Sequence, residues 1–327
     1  MRDSTKPNVV VSKCLGFAHC RYNGLVISDD FIKKLRPLVN FIPICPEVEI
    51  VLGVPRNPIR VVFLKGRMKL MQSVTNKDIT DMMNNFVQSF LDSLDDVDGF
   101  ILKNRSPSCG IKDVRVYPSI GKVASVSKST GFFGGAVLRK FPFLPVEDEG
   151  RLRNNPIKEH FFTRLFTFTK FRELKNPGSI DELVKFHTNN KFILMSYNQR
   201  LLRILGNIVA NKKKKKTQEV MEDYRENLLY CLSKAPRYTS NINILMHALG
   251  YFKNQLARKE KNFLLESLQE YKKGRLPLCV LTSLMKSWII RFGQEYLLNQ
   301  TFFEPYPKEL ITCFPITDAD KDRDFWK

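Results

Sequence analysis

Apolar positions follow two different rhythms in this chain, and the change between them falls near its middle. In the first half, short apolar runs alternate with stretches of helical spacing. Residues 8–13 (NVVVSK), 41–45 (FIPIC), 59–64 (IRVVFL) and 99–103 (GFILK) read as strands. Residues 30–39 read as a helix, as do residues 76–97, where Ile79, Met82, Met83, Phe86, Phe90, Leu91 and Leu94 recur at helical spacing. This alternation predicts a Rossmann-like α/β domain with a mainly parallel sheet. In such sheets ligands gather beyond the carboxyl ends of the strands.

The second rhythm is helical throughout. A polar bridge over residues 144–155 leads into a Phe-rich helical stretch at 159–171. From Ile180 onward, helices are predicted at 181–188, 194–211, 217–233, 242–258, 261–272 and 276–296. The expected organisation is therefore an α/β domain over residues 1–150 and an all-α domain over residues 151–327.

A chain of 327 residues, 43% of them hydrophobic, is long enough for two such cores. Charge adds a partner class. Lys and Arg number 53 against 33 Asp and Glu, a formal balance of +20, which attracts polyanions such as RNA, DNA or an anionic membrane surface. Lys212, Lys213, Lys214, Lys215 and Lys216 form an unbroken run between two predicted helices, either a solvated turn or a polyanion contact. Residues 1–8 are polar and charged, unlike a secretory signal, and no apolar stretch approaches the roughly 18–20 residues of a membrane span. A cytoplasmic protein with no membrane segment is expected. No Walker A or dinucleotide fingerprint is present.

Seven cysteines remain to be explained: Cys14, Cys20, Cys45, Cys109, Cys231, Cys279 and Cys313. Cys14, Cys45 and Cys109 each lie at or just after a predicted strand end, beside Gly or Pro. No C-x-x-C pair exists, so zinc-ribbon and ordinary ferredoxin spacings are absent. Ligands gathered singly from strand-end loops can still hold one cluster, and three thiolates on a four-iron cube leave one iron open. Small buried residues in tight loops are the other reading. Glu47, two residues after Cys45, is a candidate general acid or base, or else a loop carboxylate paired with Arg56. Ser106 and Ser108 flank Pro107 just before Cys109, where serines either bond the local backbone or touch a substrate.

Three motifs in order resemble the thiouracil desulfidase family. They are residues 12–24 (SKCLGFAHCRYNG), 43–56 (PICPEVEIVLGVPR) and 103–110 (KNRSPSCG). The resemblance covers residues 10–146. It implies a [4Fe-4S] cluster with Cys14, Cys45 and Cys109 as its three ligands. It also implies Glu47 as acid/base and Ser106 as the group that orients substrate. Cys20 matches a position often filled by Cys but is not placed among the ligands. Residues 185–308 resemble the helical YbgA-like domain, through FH at 186–187, KFILM at 191–195, LGNIV at 205–209, GYFK at 250–253 and GRLPL at 274–278. Thr188, Asn189 and Asn190 stand where relatives often carry further histidines after His187, which speaks against a second metal site. The fusion of the two domains resembles desulfidases of 4-thiouridine in tRNA.

The implied reaction exchanges sulfur for oxygen at C4 of the base, with no net electron transfer. The implied partners are tRNA and a thiolated uracil base. Arg21, Arg56, Lys103, Arg105 and Lys112 in the loops, together with the lysine run, are candidate RNA or substrate contacts. Two other functions stay open: a desulfidase of free thiouracil-type bases, and a non-catalytic RNA-binding or repair-linked protein with structural cysteines.

Overall fold

The computed structural model describes residues 5–121, 123–174 and 179–311. The chain divides into two compact units, Met1–Glu173 and Leu174–Lys327. The division falls later than residue 150 because the Phe-rich helix belongs with the first unit. Phe162 of that helix stacks on Phe31, with ring centroids 5.7 Å apart. Near its end, Arg172 grips Asp98 through Nη2 at 2.8 Å and Nε at 3.1 Å.

The first unit carries eight strands among its described residues. Strands β1 (Asn8–Ser12), β2 (Asn40–Ile44), β5 (Gly99–Leu102) and β8 (Val146–Asp148) form one sheet in the order β2-β1-β5-β8, parallel throughout. Val9, Val10 and Val11 of β1 are all fully buried, as a sheet covered on both faces requires. The second sheet is mixed. Strands β3 (Ile59–Leu64), β4 (Arg67–Gln72), β6 (Val114–Tyr117) and β7 (Ser127–Ser129) lie in the order β4-β3-β6-β7. Only the β3–β6 pair within it is parallel.

Among the described residues five α-helices complete this unit: α1 (Asp30–Leu35), α2 (Pro46–Glu49), α3 (Thr80–Asp92), α4 (Phe132–Lys140) and α5 (Asn155–Glu173). One core joins both sheets to α3 and α4. It holds Val10, Phe100 and Leu102 from the parallel sheet, Val61, Leu70, Val114 and Val116 from the mixed sheet, Met83, Val87 and Leu91 from α3, and Phe133 and Val137 from α4. Burying a side chain of this kind contributes about 1.5–3 kcal/mol.

The second unit is all helical among its described residues, in line with the helical rhythm of its sequence. Its helices are α6 (Ile180–Asn189), α7 (Lys191–Tyr197), α8 (Gln199–Val209), α9 (Thr217–Cys231), α10 (Tyr238–Gly250), α11 (Arg258–Lys272), α12 (Leu278–Arg291) and α13 (Glu295–Leu298). The single helix expected at 194–211 is two. Asn198 leaves helical geometry and its side chain accepts from the Leu201 amide at 3.0 Å, capping α8. Buried Gln300 ties the α6–α7 junction: it accepts from the Phe192 amide at 3.1 Å and donates to the Thr188 carbonyl at 2.8 Å. No helix among the described residues is long and apolar enough to cross a membrane.

Candidate active site

The carboxyl ends of β1, β2 and β5 open onto one cavity of about 460 Å³. Each strand delivers a cysteine there. Cys14 follows β1 in a loop that turns at Gly16, whose φ is +85°. Cys45 follows β2 and caps α2, with Pro46 as the first helical residue, where a missing N–H costs nothing. Cys109 lies in the loop beyond β5.

That last loop is clamped by the start of α4. The amides of Gly131, Phe132 and Gly134 donate to the carbonyls of Gly110, Pro107 and Ser108 at 2.7, 3.1 and 3.0 Å. Amides that helix N-termini leave unpaired thus hold the Ser106–Gly110 backbone. The approach demands glycine: a Cβ on Gly131 would stand 2.5 Å from the Ser108 carbonyl oxygen, and one on Gly134 2.5 Å from those of Cys109 and Gly110.

Four thiols face the cavity, since Cys20 joins the three expected from the strand ends. The Cys20 thiol hydrogen-bonds with those of Cys14 and Cys45, and the bond with Cys14 first, then burial, pushes it up to about 11. Its bond with Cys20, followed by burial, pushes the Cys45 thiol far above the ordinary range. Burial pushes the Cys109 thiol up to about 12. Thiols so placed stay protonated until a cation displaces the proton. Among the described residues no three His, Cys, Asp or Glu side chains are grouped as a metal site.

Both readings of Glu47 meet in the structure, for it lines the cavity and pairs with Arg56. Arg56 donates to Glu47 Oε2 from Nη2 at 2.5 Å and Nε at 2.9 Å, and its side chain is only 3% exposed. The same guanidinium reaches the carbonyls of Cys20 and Gly53 from Nη1, at 2.9 and 3.1 Å. One residue therefore ties the Cys20 loop to α2. The other carboxylate oxygen, Oε1, accepts from Ser108 Oγ at 2.6 Å. Ser108 Oγ lies 3.0 Å from Ser106 Oγ, which also accepts from the Cys109 amide at 3.1 Å. With the Ser108 proton given to Glu47, Ser106 is the donor in the serine pair.

The candidate cations fare differently. Arg21, Arg56, Lys103 and Arg105 line the cavity, whereas Lys112 does not. Lys103 is held by an ion pair with buried Glu149, and its amide donates to Ser12 Oγ at 2.8 Å. Lys112 lies 3.8 Å from Asp113. The lysine run, residues 212–216, is an exposed turn between α8 and α9, and Lys215 pairs with Asp223 at 2.5 Å. His187 bonds Tyr224 through Nδ1 at 3.0 Å, a structural setting in which burial lowers its pKa. Cys231 is buried in the helical unit, Cys279 is disulfide-bonded, and Cys313 lies outside the described residues. Sequence reasoning left Ser108 in a minor role and Cys20 outside the ligand set. The S-P-S-C spacing is the available signal for Ser108, since it sets two hydroxyls side by side, of which that of Ser108 reaches the carboxylate.

A family model described as 2-thiouracil desulfurase matches residues 9–149, and a model described as a protein of unknown function, DUF1722, matches residues 191–307. The uncharacterized protein YbgA of Escherichia coli (strain K12) is 25% identical over 147 residues, 44% of this chain and 87% of that protein. The uncharacterized protein YbbK of Bacillus subtilis (strain 168) is 30% identical over 110 residues, 31% of this chain and 72% of that protein. A solved structure of the [4Fe-4S]-dependent thiouracil desulfidase TudS is 26% identical, spans 45% of this chain and 94% of its own, and superposes with a TM-score of 0.37. The chain belongs to the 2-thiouracil desulfurase family through residues 9–149, and joins to that domain a DUF1722 domain at residues 191–307.

Proposed function

We propose that this protein is a cytoplasmic enzyme that converts 4-thiouridine in tRNA to uridine, exchanging sulfur for oxygen at C4. One observation carries the reading: thiols from three separate strand ends share a cavity with a carboxylate–serine pair, in a domain of the 2-thiouracil desulfurase family. A cavity of about 460 Å³ lies within the roughly 300–1,000 Å³ of small-molecule sites.

The donor set fits a soft metal centre, since thiolates select iron–sulfur clusters and a hard cation would want oxygen ligands. Cys14, Cys45 and Cys109 would hold a [4Fe-4S] cluster, whose remaining iron would supply a soft Lewis acid for the thiocarbonyl sulfur. The protein's own groups then manage water and protons. Ser106 orients the base or the attacking water at the cavity. The proton released by that water passes from Ser106 to Ser108 and on to Glu47 Oε1. Arg56 fixes the carboxylate by occupying its other oxygen. Water adds at C4, the C–S bond breaks, and sulfur leaves as sulfide, so electrons balance without a redox partner.

Charge supports the RNA substrate. Residues 1–173 carry 27 Lys and Arg against 17 Asp and Glu, and residues 174–327 carry 26 against 16, so each unit holds +10. Phosphate neutralisation supplies most nonspecific affinity for RNA. The free-base reading has its own support, because Arg56 and Lys103 are consumed by Glu47 and Glu149 inside the cavity. Anaerobic incubation of the purified protein with bulk tRNA, followed by nucleoside analysis, decides between them. Loss of 4-thiouridine is expected. Turnover of 2-thiouracil with intact tRNA thionucleosides would overturn the RNA substrate and leave the free base.

A further inference from the structure

One face of the mixed sheet carries three arginines whose charge no carboxylate among the described residues pairs, and of these Arg60 also donates from Nη1 to the Gly121 carbonyl at 3.2 Å. Val61, Leu70, Val114 and Val116 point into the core. Alternation along the strands puts Arg60, Lys69, Arg67, Arg115, Tyr117 and Lys128 on the opposite face. The Arg60 guanidinium lies over the Tyr117 ring at 4.7 Å, as two residues on one face can. Arg115 and Lys128 stand directly opposite each other across β6 and β7, a like-charge pairing that a sheet bears at a cost.

The acidic groups on this face are few and already engaged. Asp78 holds Lys69 at 2.6 Å, and Asp113 holds Lys128 at 3.2 Å. Among the described residues no carboxylate pairs with Arg60, Arg67 or Arg115, and Arg67 and Arg115 are exposed. Three uncompensated guanidinium groups thus lie on three adjacent strands. The patch adjoins the cavity through β3, because Pro58 and Ile59 line the cavity wall and Arg60 follows them directly.

We infer that this face binds the phosphodiester backbone of the RNA that presents its base to the cavity. The inference deepens the tRNA reading above and rests on it. Guanidinium forks match phosphate oxygens in geometry as well as charge, and a planar ring beside them offers a base a stacking surface. RNA is thereby gripped by the catalytic unit itself, next to the chemistry. The lysine run of the helical unit is not required for that grip.

The test uses the full-length, iron-loaded protein and a tRNA transcribed in vitro without modifications, with affinity read by fluorescence anisotropy at several salt concentrations. Replacing Arg60→Gln, Arg67→Gln and Arg115→Gln together should weaken binding at least tenfold near 0.1 M salt. The slope of log affinity against log salt should become shallower by about two to three, at about 0.7–0.9 for each phosphate that is no longer neutralised. Turnover of free 4-thiouracil should match the parent protein. The double variant of the two exposed arginines, Arg67→Gln with Arg115→Gln, should show a smaller change in the same direction and guards against damage around Arg60. Unchanged affinity and slope in both variants would overturn the inference, as would a parent protein that binds tRNA without salt dependence. Because binding is read apart from turnover, a protein inactive on every thiolated base would strike the desulfidase reading and leave this result standing.

Discussion

Ser108 donates its hydroxyl proton to Glu47 Oε1 across 2.6 Å, joining two motifs 61 residues apart in the chain. Ser108 is only 1% exposed, so bulk water does not readily replace it. Ser108→Ala removes both the carboxylate's donor and the acceptor for Ser106. A buried partner left unsatisfied costs about 1–3 kcal/mol, so turnover should fall roughly tenfold to a hundredfold. Iron content should not change. Glu47→Ala should lose more, because it also strands Arg56, whereas Glu49→Ala, at an exposed position, should do little. Iron assays beside initial rates separate these outcomes, and a Ser108→Ala enzyme at full rate would remove the proton path.

Iron binding should depend on the strand-end thiols alone. Cys14→Ala, Cys45→Ala and Cys109→Ala are each expected to abolish the visible absorbance of the anaerobically reconstituted protein. Cys231→Ala removes a buried thiol that donates to the Leu194 carbonyl at 3.9 Å in the helical unit, and should keep full iron content. Its expected cost is a small loss of thermal stability from one vacated atom. Full iron in Cys109→Ala would sink the ligand assignment.

Acid sensitivity should trace partly to α5. Burial, helped by the charge of Arg164, pushes His160 down to about 4 from an ordinary 6.5. Between those values the unfolded chain holds a proton that the folded chain lacks, so stability falls as pH drops from 6.5 toward 4 and levels off below. Above 6.5 the contribution is whole. Neighbouring Glu159 is raised by burial and acts with the opposite sign, its contribution being lost as pH rises. The difference between the parent and His160→Gln in melting temperature isolates the histidine. The variant should show a flatter profile across pH 4–6.5, and parallel profiles would refute the assignment.

How far the sequence foretold these features depends on how local each signal is. Strand β3 emerges with the bounds its apolar run suggests, and the strand-end position of Cys14, Cys45 and Cys109 follows from the β-branched runs before them. Strand β4 escapes notice because its turn is Lys65–Gly66, with both residues at positive φ, in place of the Asn-Gly that marks such hairpins. Its own residues, Arg67, Met68 and Lys69 among them, are weak strand formers that pair only because β3 is there. The Asn198 cap was legible and competed with a helical rhythm that runs through it. Nothing local could show that Ser108 meets Glu47, or that Cys20 lies between Cys14 and Cys45, since those contacts exist only once the loops converge. Family motifs supplied the site residues where periodicity could not.

The boundary between the units has a direct consequence for how the catalytic domain can be isolated. Polarity alone suggests a cut near residue 153, before α5. Yet α5 is sewn into the first unit along its length. Phe162 stacks on Phe31, Arg164 donates to the Phe143 carbonyl at 2.7 Å, and Leu165 packs so closely that a Cβ on Gly99 would stand 3.1 Å from it. Arg172 then pairs with Asp98, a carboxylate 3% exposed that also accepts from the Asn8 amide at 2.8 Å at the start of β1. Losing α5 strips the arginine from that buried carboxylate and uncovers aromatic surface at about 1.5–3 kcal/mol per large side chain. A typical domain has only about 5–15 kcal/mol in hand. The segment 1–173 should therefore express as a cooperatively melting, iron-binding protein that turns over free 4-thiouracil, while the segment 1–153 should aggregate or melt without a transition. Calorimetry on both segments settles the point, and a cooperative transition of equal midpoint in the shorter one would show that α5 belongs elsewhere.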